Sequence, residues 1–359
     1  MKKFLFYINF ILILLIFSLT GCGEKLDLSQ FPINGGGGGN ISDTVYVQIY
    51  PEWGGYNNPK DILVGLEPLI YIADTDNNRI VQLDISGGFI SAVEAKHPIR
   101  LAMDNNLDLL AIWDSITDIG DTINVVYRYR LYDGGGILSN APRISFLTSA
   151  QPTPISSRRR KFTGISTFPD NSVLISRVGP DNSSFIDPDN SLIKVTGRNS
   201  LTSVQPLSGF QTTGNGIFSV EKTSSIITFR TNPTDFILTR NTTDFGFKVE
   251  WFEFDDVNGS YNPKFLPETN ADIVRIQLGT PQKVAVDDNS NVYVIDSGRD
   301  SLYKFNNLGM IKGESFGGTG SGTNQFSSPF GIAVFNRVVY IADSGNGRIV
   351  RYKLSTDLN

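Results

Sequence analysis

The chain has 359 residues, with 31 Lys and Arg against 36 Asp and Glu and a charged fraction of only 19%. A net charge of −5 disfavours nucleic acid as a partner, because proteins that grip phosphates present a basic surface. A single cysteine excludes an internal disulfide and a cysteine-based zinc site, and a single histidine leaves too little nitrogen for a typical zinc centre.

The first 21 residues read as an address. Lys2 and Lys3 precede an apolar run from Phe4 to Leu19, which is shorter than the roughly 20 residues a membrane span needs. Leu19-Thr20-Gly21-Cys22 resembles the bacterial lipoprotein lipobox. That resemblance implies export, cleavage before Cys22 and lipidation of its sulfur, hence a protein anchored in the bacterial cell envelope. Gly23, not Asp, follows the cysteine, which points to the outer membrane. Losing Lys2 and Lys3 takes the net charge from −5 to −7, so the acyl chains and not electrostatics would hold the lipid. Residues 22–43 are mostly polar and carry an unbroken glycine run from Gly35 to Gly39, the composition of a flexible tether.

From Thr44 a pattern begins that the chain repeats to its end. Asn58-Pro59 opens a run to Val64, followed by Ile70 to Asp74 and then Arg79 to Leu83. Pro281 to Val286 leads to Val292–Asp296, and Pro329 to Val334 leads to Val338–Asp343. Each piece is a short apolar or alternating run bounded by turn residues, the mark of a strand. The spacing from proline to aspartate is 15, 15 and 14 residues in these copies. Weaker copies start at His97-Pro98 (with Leu109–Asp114), at Phe162 (with Ser172–Ser176) and at Gly216 (with Ser225–Phe229). A unit of this size cannot bury its own faces, so neighbours must stack.

These residues resemble the NHL repeat, which implies β-propeller blades of four strands. The expected fold is therefore all-β, a single six-bladed, NHL-like β-propeller over residues 44–359. A seventh blade would need a further unit between Thr234 and Phe254. The last copy stops after three strands near Leu354, so the alternating Thr44–Tyr50 segment is expected to complete that C-terminal blade and close the ring. The middle of the chain departs from the repeat in loop-like insertions at Ile116–Ile123, Gln151–Lys161 and Gly179–Asn190, where recognition or neutral drift are equally compatible with the sequence.

Several residues invite chemistry. Asp74-Thr75-Asp76-Asn77-Asn78 resembles the start of a calcium loop, yet Arg79 and Ile85 stand where such a loop needs Gly and a carboxylate. A hairpin turn is the better reading, with Arg79 and Arg348 bracing the turns that follow Asp74 and Asp343. No cofactor is expected, with Ca²⁺ at this loop as the alternative. Arg158–Lys161 reads as a solvated basic loop. His97, before Pro98, reads as a partly exposed loop residue without the partners of a catalytic triad. The amidating lyases that share this propeller type use several histidines, so the resemblance does not extend to their activity.

Lactonases of the senescence-marker type resemble the expected architecture and hold a divalent ion in the central channel. The corresponding positions here are Asp61, Arg100, Gly164, Gly216, Lys283 and Gly331. One carboxylate and two cations do not make a cation cage; Asp61, Arg100 and Lys283 would instead make a mixed-charge mouth for a polar or anionic group. The expected function is thus a monomeric, membrane-tethered binding or scaffold module for a protein, peptide or glycan. The alternatives are a metal-dependent lactonase or hydrolase, and a structural envelope component.

Overall fold

The structure, a computed structural model, describes residues 44–117, 120–149, 159–184, 187–210, 220–242 and 247–358. The signal segment, Cys22, the tether, Gly216 and Arg158 of the basic run lie outside the described residues.

Six sheets of four antiparallel strands follow one another along the chain. From the inner strand outward, blade 1 is Pro59–Val64, Ile70–Asp74, Arg79–Leu83 and Phe89–Glu94. Blade 2 is Arg100–Met103, Asp108–Ile116, Thr122–Arg130 and Arg143–Thr148, and blade 3 is Lys161–Thr167, Val173–Val178, Ser191–Thr196 and Ser203–Pro206. Blade 4 is Thr223–Thr228, Phe236–Arg240, Val249–Asp255 and Ser260–Pro263; blade 5 is Pro281–Val286, Val292–Asp296, Ser301–Phe305 and Phe316–Gly317. Blade 6 takes Gly331–Phe335, Val338–Asp343 and Arg348–Leu354 from the C-terminal end and Tyr46–Trp53 from the N-terminal end. Tyr46 pairs with Leu354 and Ile49 with Arg351, so the first strand closes the last sheet as the sequence predicts. The inner strands neighbour one another in order and the sixth neighbours the first: the fold is a six-bladed β-propeller.

The core follows from that closure. Six apolar clusters lie one in each gap between neighbouring sheets. Between blades 1 and 2, for example, Tyr71, Ala73 and Ile80 pack on Leu101, Leu109 and Tyr129. Both faces of the middle strands are covered, and Ile70–Asp74 and Val292–Asp296 are buried at every position. This is why their sequences run as unbroken apolar stretches and do not alternate.

Blade 4 corrects the sequence reading. Ser225–Phe229 belongs to the inner strand, not the second one, and 234–254 supplies the second and third strands of the same blade and not a further unit. Ile226-Ile227 next to Thr228-Phe229 has the apolar density of a middle strand, and no proline marks the true start at Thr223. The Ile116–Ile123 insertion begins and ends in strand: Ile116 pairs with Thr122 and Ser115 with Ile123.

Candidate functional site

Four of the six inner strands begin with a shift of register, while those starting at Arg100 and Gly331 pair regularly. Pairing skips a residue between Pro59 and Asp61, Phe162 and Gly164, Thr223 and Ser225, and Pro281 and Lys283. Such a bulge re-aims the residue that follows it. The bulges bring Asp61, Gly164, Ser225 and Lys283 to the same level of the inner strands as Arg100 and Gly331. Ser225 takes the place that the repeat spacing assigned to Gly216.

At this level each blade is stitched to others. Asp61 accepts from the amide of Leu101 in blade 2 at 2.8 Å, and Ser225 accepts from the amide of Val284 in blade 5 at 3.2 Å. Lys283 donates to Asp61 and, at 3.0 Å, to the carbonyl of Ile62. Arg100 reaches furthest. Its guanidinium donates to Thr163 O in blade 3 (2.9 Å), Ser224 O in blade 4 (2.7 Å), Gln282 O in blade 5 (2.9 Å) and its neighbour Ile99 O (3.0 Å). It also stacks over the Phe330 ring, 4.7 Å from the centroid.

The two glycines mark close backbone approach. A Cβ on Gly331 would lie 2.8 Å from Asp61 Cα, and one on Gly164 would lie 2.8 Å from Ile226 N.

Asp61, Arg100 and Lys283 do converge, as their spacing predicts, but on one another and on backbone carbonyls. Asp61 is fully buried, Arg100 4% exposed and Lys283 9% exposed. Burial pulls the basicity of Lys283 and of Arg100 down, with the Asp61 carboxylate opposing it in both. The predicted charged mouth is therefore a closed plug: these groups already hold partners within the chain, which leaves few donors for a ligand. The sequence could place the residues on the ring, but not foresee that Arg100 is long enough to span it.

The end of the propeller where the inner strands start carries the contrasting loops. In blades 1, 5 and 6 the turns there are short and built alike. Asp74 accepts from Asn57 N (2.8 Å), Asn77 Nδ2 (2.9 Å) and Arg79 Nε (2.7 Å); Asp343 accepts from Ser327 N, Asn346 Nδ2 and Arg348 Nε, each at 2.8 Å. Asp296 accepts from Gly279 N, Thr280 N and Gly298 N. Asn78 and Gly347 take φ of 53° and 62°. These are braced turns, with Arg79 and Arg348 in the bracing role the sequence assigns them. Among the described residues no group of three or more acidic, histidine or cysteine side chains is placed to hold a metal ion.

Longer connections at this same end are 149–160, 179–190, 207–222 and 241–248 in blades 2 to 4, and the links 264–280 and 318–330 on either side of blade 5. Arg160 corrects the reading of the basic run. It is 1% exposed and pairs with Asp189 (2.5 Å) and Asp187 (2.9 Å), while Arg177 binds Asp187 at 2.6 Å. The charges of the run are thus not all solvated; Arg160 anchors the 179–190 connection to the blade, and Arg159 beside it is exposed. The acidic partners lie almost thirty positions downstream, beyond any local pattern. His97 is exposed at this end, 3.4 Å from Asp114.

No family model matches the chain, and no curated protein matches it. Solved structures do. An auxiliary nutrient binding protein from Bacteroides thetaiotaomicron is 11% identical, with 87% of this chain and 76% of that chain covered and a TM-score of 0.60. A second, from Bacteroides ovatus, is 10% identical over 87% of this chain and 77% of the other, with a TM-score of 0.59. A PQQ-bound aldose sugar dehydrogenase from Streptomyces coelicolor is 11% identical over 87% and 99%, with a TM-score of 0.55. At such identities the likeness is one of fold: six-bladed propellers serve both binding proteins and enzymes.

At the opposite end of the molecule a cleft of about 130 Å³ separates blades 2 and 3. It is built on a second ionic knot that local patterns in the sequence did not reveal. Arg128 pairs with Asp104 and, at 3.1 Å, with Asp108, which also holds Arg198 in a two-pronged contact at 2.8 and 2.9 Å. The knot ties the first hairpin of blade 2 to the outer turn of blade 3.

Proposed function

We propose that this chain is a binding module of the bacterial cell envelope, lipid-anchored at Cys22, that recognises a protein, peptide or glycan with the long connections of blades 2 to 4. The observation that carries this reading is their placement. Between their second and third strands blades 3 and 4 carry the 179–190 and 241–248 connections where blades 1, 5 and 6 keep short aspartate-braced turns, and the interblade links 149–160, 207–222, 264–280 and 318–330 leave the sheets at the same end. Extra length gathered on one side of a rigid scaffold is how propellers and barrels carry recognition. Fold relatives that bear the name of auxiliary nutrient binding proteins support a binding role.

The alternative of a metal-dependent lactonase draws its support from the shared architecture. Against it stands the donor set of the channel, where the one carboxylate of the ring accepts from Lys283 and from backbone amides.

Photo-cross-linking side chains at Arg159 and Ser183, both exposed on the long-loop end, should capture a reproducible adduct in the native envelope. The same probe at Asn336, exposed at the opposite end, should not. Replacing 179–190 by the short turn of blade 1 should abolish the adduct. Equal labelling from both ends, or none, would refute this reading.

A further inference from the structure

The two ends of the propeller differ in a second respect. Strand order places the outer hairpin tips of blades 1 to 5, and the start of the N-terminal strand of blade 6, at the end opposite the long connections. Apart from Tyr50, Ile116 and Leu266, every exposed large apolar side chain among the described residues lies at those tips or on the strand ends that adjoin them. Phe89 in blade 1, Tyr132 in blade 2, Val257 in blade 4, Leu308 in blade 5 and Val45 beside blade 6 are examples, and Val257 is 93% exposed. They lie on five of the six blades, with none among the described residues of blade 3.

The chain enters the propeller at the same end. Tyr46 pairs with Leu354, and Val45 accepts from the amide of Ser355 at 2.8 Å, which fixes Thr44 beside the apolar ring. Whatever precedes Thr44 is therefore joined to this end. The preceding sequence is the polar, glycine-rich stretch that leads from Cys22 and the apolar run before it.

We propose that this end faces the lipid bilayer, with the apolar tips resting in its headgroup region and the long-connection end turned away from it. The proposal rests on the lipid-anchor reading of Cys22. Single apolar side chains partition weakly, and partial insertion weakens each contact further. A tether of about twenty residues raises their effective concentration at the membrane into the millimolar range, where several weak contacts suffice. Among the described residues no helix is long and apolar enough to cross a membrane, so the contact is peripheral. The same tips carry charges of both signs, Asp84 and Asp255 with Arg198 and Lys312 and the Arg130–Asp133 pair, so they hold no basic surface to draw anionic headgroups.

The test uses the full-length mature protein in vesicles of phosphatidylethanolamine, with or without added phosphatidylglycerol. A fluorophore is attached at Leu308→Cys or Val257→Cys on the apolar end, and at Arg299→Cys in a short turn of the other end. Spin-labelled lipid should quench Leu308→Cys and Val257→Cys several-fold more than Arg299→Cys, with no gain from added phosphatidylglycerol. Failure of the protein to float with the vesicles would overturn the anchor and this orientation together. Flotation with equal quenching at both ends would overturn the orientation alone. So would disulfide-linked dimers through Leu308→Cys with no quenching, since a second copy would then cover the ring.

Discussion

Lys283 on the inner strand of blade 5 donates to the carboxylate of Asp61 on the inner strand of blade 1, 222 positions away, passing over the glycine of blade 6 that lies between them. With Arg100 tied to blades 3, 4 and 5, the polar centre of the channel becomes the place where the ring is locked. A closed ring has no free edge, but it needs its inner strands held at fixed separation, and these charges do so from inside.

Removing one partner therefore tests stability and not ligand affinity. Lys283→Met leaves the Asp61 carboxylate buried without its cation and should cost about 3–5 kcal/mol. Adding Asp61→Asn should recover part of that loss, so the double variant costs less than the sum of the singles. Urea unfolding of the four proteins measures it; strict additivity would mean that the pair is not coupled.

The ring was largely legible from spacing. Asp61, Arg100, Gly164, Lys283 and Gly331 were located by counting from each proline or its equivalent, because the repeat conserves that count. Gly216 failed because no proline opens the inner strand of blade 4 and that strand is as apolar as a middle strand; Ser225 is the residue in place. Whether the ring is open was not legible, since that depends on how far a guanidinium reaches across a channel whose width no local pattern encodes. The partners of Arg160 were hidden for a similar reason: ion pairs between segments leave no periodicity.

Gly331 has a steric role that alanine should expose. The added methyl would lie 2.8 Å from Asp61 Cα and 3.0 Å from Ile62 N, both backbone atoms that cannot rotate aside. Gly331→Ala should destabilise by about 1–3 kcal/mol through overpacking. Thermal unfolding of that variant beside Gly313→Ala, where the Cβ meets nothing, separates clash from any general effect of losing a glycine.

Asp343 organises the last turn before ring closure. Its fully buried carboxylate accepts from one amide, one carboxamide and Arg348, and Arg348 also holds Glu52 at 2.5 Å on the N-terminal strand. Asp343→Ala should cost about 2–3 kcal/mol, the size expected when buried donors lose a charged acceptor. Hydrogen exchange should rise first in Tyr46–Trp53 and Arg348–Leu354. Uniform exchange across all six blades would show that the turn does not guard the seam.

Glu250, in the third strand of blade 4, should make stability depend on pH. Burial pushes its carboxyl up from 4.5 to about 7, with Arg240 at 3.2 Å opposing the shift. The folded protein then holds a proton that the unfolded chain releases between about pH 4.5 and 7. Stability should fall as pH rises through that window, reach its full penalty above pH 7, and be unaffected by this group below pH 4.5. The penalty is at most about 3 kcal/mol by the standard conversion of a pKa difference. Glu250→Gln cannot ionise, so its unfolding free energy should decline less than that of the native chain between pH 5 and pH 8. Parallel curves for the two proteins would place Glu250 in its ionised form throughout, with Arg240 outweighing burial.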